Sequence, residues 1–360
     1  MKVVIIGGVA GGATAAARIR RLDEKAEIVV FERSGFISYA NCGLPYYIGG
    51  TIEDEGDLTL QTPESFYKRF RVKMNVRHEV TALHPESKMV TVKNIENGTV
   101  FTETYDKLIL SPGAKPIKPN FEGIDSDKIF TLRTVEDTLK IKKFINEKYP
   151  KSAVVVGGGF IGIEVAENLR ELGIDVTLVE AADQLMAPFD SDMASFIHAE
   201  LRKNGINLML GRFVEGFADT DDGICVKLKN SPTLHADMVV MAIGVAPETT
   251  LAKDAGLELG IKGSIVVNDR METSVTDIYA VGDAVQIRNF VTDTDALISL
   301  AGPANKQGRI AADNICGIDS RYRGGQGSSV IKLFDMTAAS TGINEKTAKA
   351  LGLSTDKVIL

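Results

Sequence analysis

Cysteine is scarce in this sequence: Cys42, Cys225 and Cys316 are the only three in 360 residues. They show no pairing pattern, which excludes a disulfide-stapled secreted domain and points to a reducing cytoplasm. Histidine is almost as rare. The four present (His78, His84, His198 and His235) have neither ligand nor triad spacing, so all are read as structural and no metal site is expected. No apolar run is long enough to cross a bilayer. The N-terminal stretch Val3–Ala17 follows a lysine and is apolar, but glycines interrupt it and Arg18, Arg20 and Arg21 come directly after, which is wrong for a signal peptide. Positive charge is also in deficit. A net charge of −7 argues against a nucleic-acid backbone as partner.

The chain is too long for one ordinary core, so two or three domains are expected. Glycines cluster after hydrophobic strands. Lys2–Ile6 is a continuous β-branched run, the signature of a buried parallel strand. Gly7-Gly-Val-Ala-Gly-Gly12 then turns into a helix expected from Ala13 to about Leu22, and a second strand, Glu27–Glu32, ends in a carboxylate. This is a dinucleotide-binding layout: glycines permit the turn, the helix N-terminus offers free N–H groups to a pyrophosphate, and the terminal acid can accept from ribose hydroxyls.

The pattern recurs. Lys151–Val156 leads into Gly157-Gly-Gly-Phe-Ile-Gly162-Ile-Glu164, a full G-x-G-x-x-G, and the strand Asp175–Glu180 again closes on a carboxylate. Two dinucleotide sites in two domains are therefore expected. Asp106–Ala114 closes the first unit, Lys115–Pro119 reads as a linker, and Met238–Pro247 closes the second in the same strand-then-glycine manner. Thr276–Asp283 returns to a strand ending in Gly-Asp, so the first nucleotide domain is split with the second inserted between its halves. Residues 297–316 look like a loop entering a helix. The fold class is α/β, with boundaries at 1–115 and 249–325 for the split domain and 116–248 for the insert. From 326 to 360 the start of a third, truncated domain is expected: strand Val330–Phe334, a helix Glu345–Leu351 capped by Asn344, and strand-like Lys357–Leu360.

Between the first unit's second strand and its closing strand lies Ser38-Tyr-Ala-Asn-Cys42-Gly-Leu-Pro45-Tyr-Tyr47. Together with the two glycine motifs and Thr276–Asp283, this segment resembles the pyridine nucleotide–disulfide oxidoreductases, over essentially the whole chain. The resemblance implies FAD in the first unit, NADH or NADPH in the insert, and a C-terminal domain that forms a homodimer interface. Tyr47 stands five residues after Cys42, where glutathione-reductase-like members have a second cysteine, so the chain is similar to the single-cysteine branch. Ala10 replaces the histidine of peroxidases and water-forming oxidases. Asn41–Tyr46, preceded by Ser38, and Gly302–Arg309 are similar to coenzyme A-disulfide reductases, including those fused to a rhodanese domain.

The resemblance then implies roles by position. Cys42 is the redox thiol, with Asn41 and Ser38 beside it. FAD would be held by Gly7, Val9, Ala10, Gly11, Gly12, Glu32, Arg33, Ser111, Pro112, Gly113, Gly282, Asp283 and Ala301. The nicotinamide cofactor would be held by Gly157, Gly159, Phe160, Ile161, Gly162, Glu164, Glu180 and Gly244. Glu180, followed by two alanines and no arginine, favours NADH over NADPH because a carboxylate repels a 2′-phosphate. Arg18, Arg21 and Arg309 are the candidate contacts to the phosphates of coenzyme A; Arg18 and Arg21 lie three apart and share a helix face. Cys225, in an alternating strand, and Cys316, on a helix, are expected to be inert. The expected activity is electron transfer from NADH through FAD and Cys42 to a low-molecular-weight disulfide or persulfide. An NADH oxidase and a non-catalytic FAD/NAD redox sensor are the alternatives.

Overall fold

A computed structural model of the protein describes residues 1–358; Ile359 and Leu360 lie outside the described residues. In chain order the first elements are β1 (Lys2–Ile6), α1 (Ala10–Leu22), β2 (Glu27–Phe31), α2 (Leu44–Gly49), α3 (Pro63–Phe70), β3 (Lys73–Asn75), β4 (His78–His84), β5 (Met89–Asn94), β6 (Val100–Thr104), β7 (Lys107–Leu110) and β8 (Ala114–Pro116). Next come β9 (Ile129–Thr131), α4 (Val135–Lys148), β10 (Ser152–Val156), α5 (Phe160–Glu171), β11 (Asp175–Glu180), α6 (Ser191–Lys203), β12 (Asn207–Leu210), β13 (Val214–Thr220), β14 (Gly223–Leu228), β15 (Leu234–Ala236), β16 (Met238–Met241) and β17 (Val245–Pro247). The remainder is α7 (Thr250–Asp254), β18 (Ile278–Ala280), β19 (Ile287–Arg288), β20 (Asp295–Ala296), α8 (Ala301–Ile315), β21 (Ser329–Leu333), β22 (Met336–Ser340) and α9 (Glu345–Ala350).

The chain divides into two compact units. The first comprises 1–40, 56–115 and 246–325. Its five-stranded sheet runs β18-β7-β1-β2-β3 with parallel pairing throughout. The reason is in the side chains: Val3–Ile5, Val30 and Leu108–Leu110 are almost wholly buried, as in a sheet covered on both faces. Helix α1 packs against α8 through small residues; a Cβ on Gly308 would stand 2.4 Å from the Gly11 carbonyl oxygen. A three-stranded antiparallel sheet, β4-β5-β6, completes the unit's middle.

The second unit comprises 41–55, 116–245 and 326–360. Its sheet, β9-β16-β10-β11-β12, is again parallel and again carries a three-stranded antiparallel companion, β13-β14-β15. Residues 41–55 were expected with the first unit. They group here because α2 packs on α5 and α4, and the Lys142 ammonium donates to the Ile48 carbonyl at 2.8 Å. Residues 326–358 likewise do not stand apart. Asn344 caps α9 as expected, and the Glu345 amide donates to Asp190 at 2.8 Å.

Several local expectations shift. Helix α1 begins at Ala10, three residues early, since Gly11 and Gly12 are already helical. Strand β22 was not foreseen: it pairs antiparallel with β21 around Phe334, which sits in left-handed backbone at φ 48°. Such turns ordinarily advertise themselves with Gly or Asn, and this one does not. Lys357 and Val358 are not in a strand; the rest of that expected element lies outside the described residues. Among the described residues no helix is long and apolar enough to cross a membrane, and no group of three or more His, Cys, Asp or Glu is placed to hold a metal ion.

Candidate active site

The first glycine turn is built by steric necessity. Gly7 has φ +100°, and a Cβ there would lie 2.1 Å from the Ser111 carbonyl oxygen. A Cβ on Gly12 would lie 1.9 Å from the Gly7 oxygen, so the helix can start this close to β1 only without side chains. Val9 is the N-cap residue of α1 and offers no side-chain cap among the described residues, which leaves the helix N–H groups free to receive an anion. Glu32 braces the turn, accepting from the Gly8 amide and from the Ser34 amide, each at 2.8 Å. Its carboxylate thus holds the loop, and each oxygen retains a lone pair for a ribose hydroxyl.

Around this turn the same unit gathers the other expected residues. The Ser111 amide donates to Ile6, and Pro112 and Gly113 follow. Gly282 has φ +85° and donates its amide to buried Gln307 of α8 at 2.7 Å. Asp283 is the next residue, Ala301 opens α8, and Arg33 is exposed beyond β2. The Ser38 amide donates to the Gly8 carbonyl at 2.9 Å, so the cysteine segment departs directly from the glycine turn. Ser38 itself is in left-handed backbone, φ 49°, a sparsely populated state for a non-glycine residue. A cradle of glycines, an uncapped helix start and a terminal acid fits the pyrophosphate and ribose of FAD.

The second turn repeats this construction. Gly157 has φ +111° with Ala242 oxygen 2.4 Å from a Cβ built there, and the Gly162 Cβ position is 1.9 Å from the Gly157 oxygen. Glu180 accepts from the Gly158 amide at 2.6 Å and the Ala182 amide at 2.8 Å. Gly159 is the N-cap residue of α5, and a Cβ on it would meet nothing within 4 Å. Phe160 and Ile161 open the helix, and Gly244 (φ +114°) closes the neighbouring strand end. These residues fit a second dinucleotide.

In this unit the thiol segment lies against α5. Asn41–Gly43 form one tight turn that enters α2 with Pro45 near its start, and the left-handed Gly50 (φ 86°) ends it. The Asn41 side-chain amide donates to the Arg133 carbonyl at 3.0 Å, fixing the turn. A Cβ on Gly49 would lie 2.1 Å from the Asn168 Oδ1, so glycine is what lets α2 approach α5. Cys42 is exposed at the surface. The atoms packed around it still remove enough water to push its thiol up, and the nearby Glu164 pushes the same way.

Glu164 sits at the fifth position of α5, not in its first turn, so the helix dipole does not explain it. Burial first, and then the charge of Glu167, push its carboxyl up to about 7. It therefore exchanges a proton near neutrality, an unusual property for a carboxylate and the property of an acid–base group. Tyr46 is pushed up to about 12 by burial and then by Glu164. Glu167, Tyr46 and the Gly49–Asn168 contact were not singled out from sequence. The visible signal for the first was three glutamates, Glu164, Glu167 and Glu171, spaced along one helix face.

The arginines part company. The Arg18 Nε donates to Asp313 of α8 at 2.7 Å, and Arg309, one turn before Asp313, is exposed. Arg21 instead lies over the Phe70 ring, 5.5 Å from its centroid. Cys225 stands across the β14–β15 ladder from His235, its sulfur 3.3 Å from Nδ1. Cys316 is the C-cap residue of α8.

Residues 1–308 match the family described as pyridine nucleotide-disulphide oxidoreductase. The chain is 39% identical over 349 residues to a coenzyme A disulfide reductase of Staphylococcus aureus (strain JH9), covering 97% of this chain and 78% of that one. The crystal structure of reduced Bacillus anthracis CoADR-RHD superposes with TM-score 0.96 at 50% identity, covering 98% of this chain and 63% of that chain. A NAD-dependent persulfide reductase from A. fulgidus gives TM-score 0.94 at 37% identity, covering 98% and 66%. The chain therefore spans less than two thirds of those two solved chains. With two braced glycine turns, a lone exposed thiol and a family match over most of its length, the chain belongs to the pyridine nucleotide-disulphide oxidoreductases.

Proposed function

We propose that this chain is an FAD-dependent NADH oxidoreductase that reduces a low-molecular-weight disulfide or persulfide, coenzyme A disulfide first among them, at Cys42. The observation that carries the reading is Cys42 at the mouth of α2, exposed, with the proton-exchanging Glu164 of α5 as its electrostatic neighbour. The first turn (Gly7, Val9, Ala10, Gly11, Gly12, Glu32) with Arg33, Ser111–Gly113, Gly282, Asp283 and Ala301 holds FAD. The second (Gly157, Gly159, Phe160, Ile161, Gly162, Gly244) holds NADH, and Glu180 disfavours the 2′-phosphate of NADPH. Arg309, exposed on α8, is the better candidate for coenzyme A phosphates, with Arg18 and Arg21 as further candidates; Arg18 already pairs with Asp313. Arg21 is engaged with Phe70.

The flavin supplies hydride acceptance from nicotinamide and electron delivery to sulfur. The chain's own part begins with the Cys42 thiolate, which attacks one sulfur of R–S–S–R. A Cys42–S–S–R bond forms, the substrate S–S bond breaks, and the departing thiolate takes a proton, for which Glu164, the electrostatic neighbour of Cys42, is the candidate donor. The two electrons that enter with NADH then cleave the mixed disulfide, releasing the second thiol and restoring Cys42. A persulfide is a coherent second substrate, because the attack on sulfur is the same and a persulfide reductase is among the similar structures. The cytoplasm and a homodimer are the proposed setting.

Anaerobic titration with NADH, followed by coenzyme A disulfide, tests the reading. The expected result is a long-wavelength thiolate-to-flavin absorption band on reduction, lost on alkylating Cys42, and release of two thiols per NADH. Flavin reduction reversed by oxygen alone, without thiol release, would establish an oxidase instead.

A further inference from the structure

The redox thiol is borne on very little structure of its own. The tight turn Asn41–Gly43 and the 6 residues of α2 are too short to hold a helix in water, so their place comes from what they pack on. One side is a fixed wall. There α2 meets α5, which its own sheet and the β21–β22 hairpin hold in turn, and Gly49 abuts the Asn168 Oδ1. The other side is α4 and the residues before it. At the thiol end, the Asn41 side-chain amide donates to the Arg133 carbonyl at 3.0 Å. The Arg133 and Thr134 amides are fixed by the Asp137 carboxylate, at 3.1 and 3.0 Å, within the capping box that starts α4. At the far end, the Lys142 ammonium donates to the Ile48 carbonyl at 2.8 Å and lies 5.7 Å from the centroid of the Tyr47 ring.

Lys142 differs from the lysine beside it. Lys143 is exposed and pairs with Glu147 one turn on. Lys142 is half-buried and has no carboxylate partner among the described residues; both of its polar contacts are to α2. A lysine stem ordinarily carries its ammonium out to water. This one turns it instead onto the last turn of a helix, where carbonyls lack partners within the helix.

We propose that Lys142 is a positioning residue for the redox thiol: by holding the Ile48 carbonyl it closes a clamp whose other jaw is Asn41 on Arg133, and the clamp fixes the Cys42 turn against α5. This rests on the reading of Cys42 as the redox thiol. Both jaws belong to one stretch, 133–142, so the thiol segment is referred to α4 at its two ends. Attack on a disulfide needs the sulfur close to its target and in line with the bond that breaks. A misplacement of about 1 Å can slow such a step roughly 10²-fold.

The test is Lys142→Met in the FAD-loaded enzyme, which keeps an unbranched apolar stem and removes the donor. Amide hydrogen exchange, read by mass spectrometry, should quicken roughly tenfold across 44–50 and stay at the wild-type rate across α5. In anaerobic stopped flow, NADH should reduce the flavin as fast as in the wild type, while the reduced enzyme reacts with coenzyme A disulfide about tenfold more slowly or worse. Lys142→Arg puts a donor back on a long stem and should recover most of both losses. A lysine that only stabilised the fold would lower the melting temperature without separating the two half-reactions. Lys142→Gln carries the same measurements if the methionine variant does not fold. Wild-type exchange across 44–50, a disulfide half-reaction at the wild-type rate, or equal slowing of both halves overturns the proposal. A wild type that releases no thiol from coenzyme A disulfide counts against the functional reading instead, and the exchange across 44–50 then decides this one.

Discussion

The two units are the same machine part put to two uses. Their sheets share one order, β18-β7-β1-β2-β3 matching β9-β16-β10-β11-β12, and their glycine turns share one brace, Glu32 on Gly8 and Glu180 on Gly158. The helices that follow differ. In α1 the face is glycine and alanine, and it is sealed against α8 so closely that Gly308 can bear no side chain. In α5 the corresponding helix carries Glu164 and Glu167 and is covered by α2 and the hairpin. A sealed small-residue helix suits a cofactor that stays, and a helix bearing titratable groups suits a place where substrates come and go.

The largest expected effect sharpens that contrast. Cys42→Ser should lower disulfide turnover by roughly 10³-fold or more while NADH still bleaches the flavin, since only the second half of the relay uses the thiol. Stopped-flow absorbance separates the two halves, and an equal loss in both would break the division of labour. Next come Gly12→Ala and Gly162→Ala, each placing a Cβ 1.9 Å from a carbonyl oxygen. Each should cost about 3 kcal/mol or more in urea unfolding. The first should purify colourless and the second yellow but unable to bind NADH; two colourless proteins would mean that the turns are not independent.

Smaller effects distinguish the braces. Glu32→Ala should loosen FAD retention, whereas Glu180→Ala should keep FAD and narrow the NADH-over-NADPH preference about tenfold in kcat/KM. Unchanged preference would remove Glu180 from specificity. The smallest is a pH effect confined to the second unit. Glu164 ionises at about 7 in the folded chain against an ordinary 4.5, so the native state binds a proton that the unfolded chain has already released. Stability from this group is full below 4.5 and is lost as pH rises to about 7. The melting temperature should fall across that window, and Glu164→Gln should flatten the fall. Helix α1 has no acid and no counterpart effect.

Much of this was legible in the sequence because its signals are local. A β-branched run, a glycine turn and an acid at the end of the next strand specify the unit wherever they occur, and two copies specify two units. Cys42 stood out through its neighbours Asn41 and Pro45. What the sequence hid was long-range or unsignalled. Glu167 reads as one more surface glutamate until Phe334, far along the chain, donates its amide to it. The β21–β22 turn places Phe334 where glycine or asparagine is usual, so β22 went unseen. The arginines had partners that spacing does not reveal: Arg18 pairs with Asp313 and Arg21 lies over Phe70.

The split of the first sheet also has a consequence for synthesis. Strand β7 is finished at Leu110, but its neighbour β18 is not made until Ile278–Ala280, whereas every strand of the second sheet has been made by Met241. On a ribosome working from the N-terminus, the inserted sheet can close while β7 still shows a bare edge. A nascent chain stalled after residue 245 should therefore expose that edge, and one released past α8 should hide it. Limited proteolysis of arrested chains would time the difference.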